Sequence, residues 1–161
     1  MSRTQGSVSL RLRLAIATTI TGLAALAGLA APQRAGADGA RVVVEVEGLR
    51  SNRGAVLGAL FRSRDGWTEE GREIATCRAD IDGRTATCVL SDVAPGTYAF
   101  AFLHDEDGDG ALDRDWIGLP SEGFGFSNDA APVLGPPSFE SASFRHAGSE
   151  TDLHVRARYG L

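Results

Sequence analysis

The densest run of metal-seeking side chains is His104-Asp105-Glu106-Asp107-Gly108-Asp109-Gly110-Ala111-Leu112-Asp113. Asp105, Asp107 and Asp109 stand at positions 1, 3 and 5 of a calcium-type loop. Ala111 offers a backbone carbonyl at position 7, and Asp113 stands at position 9. Gly110 holds position 6, where the chain must turn sharply. A hard cation takes six to eight oxygens, and alternate residues of a tight loop turn their carboxylates toward one centre. Position 12, which calls for a bidentate Glu, is Trp116. Asp115, Glu122 or Asp129, or water, must then supply the missing ligand. A modest affinity for Ca²⁺ follows, about 10⁻⁴–10⁻³ M as in extracellular modules. The plain alternative is a solvated acidic turn, since Asp and Gly are common turn formers.

Other chemistry has less behind it. His104 beside these acids invites a transition-metal reading, but a lone His at a strand end is more often a hydrogen-bonded structural residue. His146 and His154 fall at strand or surface positions. There is no Gly-x-Ser-x-Gly elbow and no Ser-His-Asp order. Two carboxylates suffice for glycoside hydrolysis, so a metal-assisted or carboxylate-dependent hydrolase in the acidic loop stands as the alternative to a binding module. No catalytic residue is assigned.

The elements that must carry this loop are strands. Val42, Val44 and Val46 alternate with Val43, Glu45 and Glu47, the period of a half-buried strand. Further strands are expected over 55–61, 74–81, 84–90, 97–104, 138–145 and 152–159. Asp82-Gly83 reads as a hairpin turn. The stretch 97–104 is apolar on both faces, as suits a strand covered on both sides. About seven short strands separated by turn signals predict an all-β sandwich. A long irregular region, 105–137, lies between strands five and six. Loops of that length inside a compact domain are usually functional or disordered. Within and just beyond it, Trp116, Phe124, Phe126 and Phe139 suit either a satellite core under the acidic loop or an exposed aromatic surface for a sugar, peptide or partner.

The N-terminus sets the compartment. Arg3, Arg11 and Arg13 precede an apolar stretch from Leu14 to Ala31, and Ala35-Gly36-Ala37 is a small-x-small cleavage pattern. This is the signature of a secretory signal peptide over 1–37, leaving one domain over 38–161. An uncleaved membrane anchor is the rival, but Ala, Gly and Thr keep the stretch only mildly hydrophobic. The mature protein is therefore expected in the periplasm or secreted, without a stable membrane anchor. The chain carries 16 basic and 21 acidic residues, net −5. Four arginines and no acids leave with the signal, so the mature charge is −9. Phosphate repels such a surface, which excludes nucleic acid as a natural partner. The expected partner is an unidentified ligand or a component of the cell envelope.

Cys77 and Cys88 are the only cysteines, and an oxidising compartment favours their pairing. A two-residue turn at Asp82-Gly83 would set them directly opposite one another in an antiparallel hairpin, within disulfide range.

Five separated motifs occur in order. They are Gly48-Leu49-Arg50-Ser51 with Gly54; Pro95-Gly96-Thr97-Tyr98-Ala99; His104-Asp105-Glu106 with Gly108, Gly110 and Asp113; Glu122-Gly123 with Gly125-Phe126-Ser127; and Gly135-Pro136-Pro137 with Phe139. Together they resemble the bacterial family called domain of unknown function 2141, over nearly the whole mature chain from about Arg41 to Tyr159. In look-alikes the positions of Asp107 and Asp109 are often Asn, and the cysteine pair is not part of the pattern. The resemblance implies an exported sandwich of immunoglobulin or transthyretin type. It implies no established activity, and fold likeness cannot supply one. The protein is thus expected to be an exported, non-enzymatic β-sandwich module braced by one disulfide and one structural Ca²⁺.

Overall fold

Among the described residues, ten short strand segments pack as two open sheets that turn alternate side chains inward. The computed structural model describes residues 40–113, 115 and 120–160. The signal peptide expected over 1–37 lies outside them, as does Trp116. The strands are β1 (Arg41–Glu47), β2 (Ala55–Phe61), β3 (Ala75–Ala79), β4 (Ile81–Asp82), β5 (Thr85–Ser91), β6 (Gly96–Asp105), β7 (Gly123–Phe126), β8 (Ser143–His146), β9 (Glu150–Arg156) and β10 (Arg158–Tyr159). One four-residue helix, α1 (Phe139–Ala142), and a 3₁₀ turn, Ser127–Asp129, complete the described elements.

The smaller sheet has the order β4-β5-β1-β9, with β1 antiparallel to β5 and parallel to β9. The larger has the order β10-β7-β6-β2-β3, and β8 also pairs with β6. Strands β7 and β8 share one edge of β6: β7 runs along Ala101–His104 and β8 along Gly96–Ala99. Ser127 fills the gap between them. Its buried hydroxyl accepts from the Phe100 N–H (2.9 Å) and donates to the Ala142 carbonyl (2.5 Å).

The core follows from the alternation. Val42, Val44 and Val46 are fully buried, while Glu45 and Glu47 lie on the outer face. Facing these valines, with Cys88, Leu90 and Val155 from the same sheet, are Val56, Leu60, Tyr98, Phe100 and Phe102 from the larger one. Burying a side chain of this size removes roughly 1.5–3 kcal/mol of unfavourable water contact, so the two inner faces hold the sheets together. Tyr98 ties the corner before its own strand by donating its hydroxyl to the Ala94 carbonyl (2.7 Å), a device of immunoglobulin-type sandwiches. Gly58 sits where a Cβ would press on Phe100 and the Cys77 sulfur at 2.5–2.6 Å, so only glycine lets them pack there.

Three departures account for the difference between seven strands and ten. The segment expected as one strand over 74–81 breaks at Asp80: β3 joins β2 in the larger sheet and β4 joins β5 in the smaller. The last strand breaks at Ala157, whose N–H donates to the Glu47 carbonyl (2.8 Å), so that β9 and β10 belong to different sheets. Strand β7 lies inside the region expected to be irregular. Its four residues, Gly123-Phe124-Gly125-Phe126, are all buried, so no polar alternation marks them.

The cysteine geometry is corrected by the same break. The hairpin pairs Ile81 with Ala86 and Asp82 with Thr85, so its turn is Gly83-Arg84 and not Asp82-Gly83. Extending that register would set Cys88 opposite Ala79. Instead β3 has crossed to the other sheet. Cys77 and Cys88 meet at disulfide distance across the sandwich, with Cα atoms 5.8 Å apart. Among the described residues, no helix is long and apolar enough to cross a membrane.

Candidate functional site

Strand β6 ends by delivering His104 and Asp105 to the rim of the larger sheet, and the acidic loop begins there. Asp105 is 1% exposed. Each acid of the triad accepts a backbone N–H a short step ahead: Asp105 Oδ1 from Gly108 (2.7 Å), Asp107 Oδ1 from Asp109 (3.1 Å) and Asp109 Oδ1 from Ala111 (2.7 Å). These side-chain turns wind the loop inward. Gly108 (φ 86°) and Gly110 (φ 81°) supply the left-handed residues the winding needs. As a result one oxygen from each of Asp105, Asp107 and Asp109 lies within 4.8 Å of the others.

The buried acid has an unmet requirement. Among the described residues, Asp105 Oδ2 is buried with no hydrogen-bond partner. The Arg78 guanidinium approaches it only to 3.9 Å, from a side chain 58% exposed. Burying a carboxylate oxygen without a partner is costly, and such groups are normally paired or bound to a metal.

A second layer holds the ends of the loop. Glu122, 4% exposed, accepts the Glu106 N–H on Oε1 (2.7 Å) and the Asp113 N–H on Oε2 (3.3 Å), while Ser121 N–H donates to the Asp113 carbonyl (2.9 Å). Glu106 turns the other way. It pairs with Arg50 and accepts from the Ser51 hydroxyl (2.6 Å). The hydrogen bond from Arg50 holds the Glu106 carboxyl at about 2, well below its ordinary value, against the opposing effect of burial. The same contact raises Arg50. Arg50 also donates to the Ser121 carbonyl (3.0 Å) and lies over the Tyr159 ring at 4.6 Å. Burial in turn raises the Tyr159 phenol. Gly54 (φ 66°) passes so close beneath that a Cβ would overlap the Asp105 carbonyl.

His104 belongs to this clamp. It is fully buried; its Nε2–H donates to the Arg53 carbonyl (2.9 Å) and its Nδ1 shares a hydrogen bond with the Tyr159 hydroxyl (2.8 Å). A carbonyl can only accept, so Nε2 is the nitrogen that carries a proton. Both nitrogens are committed, so the ring is a structural pillar. His146 is likewise buried between Thr151 and the Val93 carbonyl.

Sorted against expectation, Asp105, Asp107 and Asp109 converge. Asp113 does not join them within 4.8 Å; its backbone is what the clamp grips. Ala111 contributes its N–H to Asp109. Glu122 is at hand, but both of its oxygens serve backbone amides. Asp129 works elsewhere, accepting the Arg156 N–H (2.8 Å). Asp115 is exposed, and position 12, Trp116, is outside the described residues. Three of the four aromatics lie in a satellite core: Phe124 and Phe126 pack with Ala99, Ala130 and Ala142, and Phe139, with Trp67 and Leu112, lies against them. Trp67 stands 5.1 Å from Phe61 and 5.9 Å from both Phe126 and Phe139. It donates its indole N–H to the Pro137 carbonyl. Spacing along the chain does not mark Arg50, Ser51, Gly54 and Tyr159 as parts of the site. The first three do fall together in one of the five motifs, Gly48-Leu49-Arg50-Ser51 with Gly54, which the fold brings to the loop.

The profile of a family described as "Uncharacterized protein conserved in bacteria (DUF2141)" matches residues 44–154, from within β1 to within β9 and across the whole acidic loop. No curated protein and no solved structure matches the chain.

Proposed function

The chain belongs to this bacterial family, domain of unknown function 2141, whose description names no activity, and we propose from its loop geometry and its N-terminal sequence that the protein is an exported, non-enzymatic binding module whose β-sandwich is braced by one Ca²⁺. The ion is held by Asp105, Asp107 and Asp109, with the Ala111 carbonyl and water completing the shell. The observation that carries the reading is the buried Oδ2 of Asp105, without a hydrogen bond, beside two further carboxylates. A divalent cation answers that oxygen's need and relieves the repulsion among three close charges. Export rests on the charged, apolar and small-residue segments of residues 1–37. Binding, to a soluble ligand or an envelope component in the periplasm or outside the cell, is favoured over a metal-assisted or carboxylate-dependent hydrolase because each loop carboxylate already accepts a backbone N–H and is spent on the ion in this reading, and the imidazole beside them has both nitrogens engaged. A general base must reach its substrate's proton, and His104 presents no exposed surface.

The test is thermal melting of the purified protein during a Ca²⁺ titration. The melting temperature should rise through the millimolar range, and the rise should vanish in the Asp105→Ala, Asp109→Ala double variant. An unchanged melting temperature at about 10 mM Ca²⁺, at least tenfold above the expected dissociation constant, rules the brace out.

A further inference from the structure

We infer that the outer face of the smaller sheet carries a second, chemically different metal site, formed by Glu45, Glu47 and His154 and suited to a zinc-class ion. Strands β1 and β9 run parallel with Glu45 opposite His154 and Glu47 opposite Arg156. The alternation that sends Val44, Val46 and Val155 into the core sends Glu45, Glu47 and His154 outward together. One ligand atom from each lies within 4.8 Å of the others. The strand beneath the two glutamates is central, bonded to β5 on one side and β9 on the other, so two of the three ligands stand on a rigid element.

The separations leave room for an ion between the groups. His154 Nδ1 is 3.4 Å from Glu45 Oε2 and 3.8 Å from Glu47 Oε1. A charge-assisted N–H···O contact closes to about 2.7–2.9 Å. Around a tetrahedral ion with ligand bonds of about 2.0–2.2 Å, neighbouring ligand atoms sit roughly 3.3–3.6 Å apart, which His154 and Glu45 already match and which Glu47 reaches by closing a few tenths of an ångström. Among the described residues, His154 is the one basic side chain within ion-pair distance of either glutamate. One imidazole nitrogen with two carboxylates selects a borderline ion such as Zn²⁺ over the all-oxygen preference of Ca²⁺. The His154 and Glu45 side chains are 67% and 43% exposed, so water completes the shell and the open side faces solvent.

Calorimetric titration of the purified protein with ZnCl₂ in the presence of Ca²⁺ tests this separately from the calcium reading. We expect one Zn²⁺ per chain, lost in His154→Ala and in His154→Gln. Glu45→Gln with Glu47→Gln should weaken binding at least about tenfold, while Asp105→Asn with Asp109→Asn should leave it intact. All three side chains point to solvent, so each variant should keep the parent melting temperature. No uptake at millimolar Zn²⁺, or an isotherm that His154→Ala leaves unchanged, overturns the site.

Discussion

Replacing Asp105 by asparagine separates a cation ligand from a purely structural acid, because the two roles give opposite signs in the absence and presence of calcium. The amide keeps an Oδ1 to accept the Gly108 N–H and removes the charge whose second oxygen has no hydrogen bond and only a long, 3.9 Å approach from Arg78. Without calcium, the variant should therefore melt at the parent temperature or a few degrees above it. With calcium the parent gains RT ln(1 + [L]/Kd), which at about 10 mM and a Kd of about 10⁻⁴–10⁻³ M is roughly 1.4–2.7 kcal/mol. An unfolding entropy near 2.1 cal/mol/K per residue, for about 120 residues, converts this to a rise of roughly 6–11 °C. A unit charge at ligand distance attracts a divalent ion by about 3 kcal/mol even at the dielectric constant of water. Losing it should therefore cost at least tenfold in affinity, about 1.4 kcal/mol, and shrink the rise to roughly 2–6 °C. Circular dichroism melts in EDTA and in CaCl₂, with MgCl₂ as the ionic control, read both states. The refuting result is an Asp105→Asn variant that melts more than about 4 °C lower without calcium yet keeps the full calcium rise. Asp105 would then serve Arg78 and the loop, not an ion.

Three further outcomes follow from the frame around the loop. Glu106 has a depressed folded pKa, so its contribution is complete above the carboxyl's ordinary 4.5 and is lost as pH falls toward about 2. Glu106→Gln should lower stability at neutral pH and flatten the acid limb of a denaturation-versus-pH series in that window; a parallel downward shift at every pH would count against the Arg50 pairing. Gly54→Ala forces a Cβ into the Asp105 carbonyl at a left-handed φ, so urea unfolding should show a loss of at least about 2 kcal/mol; a loss under about 0.5 kcal/mol would mean the backbone there gives way easily. Cys77 and Cys88 are separated by 11 residues, and the chain-entropy relation puts removal of that bridge at about 3 kcal/mol. Melting with and without reductant, compared with the double Ser variant, measures it.

Much of the sandwich was legible in the sequence because a strand with one buried face writes its orientation into every second residue. Val42, Val44 and Val46 on the first strand, and Leu153 and Val155 on the last, need no tertiary information to be placed on the inner face. The Asp105-Asp107-Asp109 spacing is equally local: a tight loop with left-handed glycines turns alternate carboxylates inward whatever scaffold it sits on.

What only the tertiary structure decided is where the chain changes sheets and which distant groups then meet. Nothing local marks Asp80 or Ala157 as crossing points, because the alternation continues on both sides of each break while the partner strand changes. That is why the cysteine pair is expected within a hairpin and lies across the sandwich. Strand β7 is hidden for a related reason: a segment buried on both faces has no polar period to read. The clamp of Arg50, Ser51, Glu106, Glu122 and Tyr159 joins residues up to 109 positions apart. Its pairings depend on β2, β6, β7 and β10 lying side by side. Spacing along the chain determines which carboxylates can share an ion. Only the packing of the sheets determines that Asp105 is buried there with one oxygen lacking a hydrogen bond.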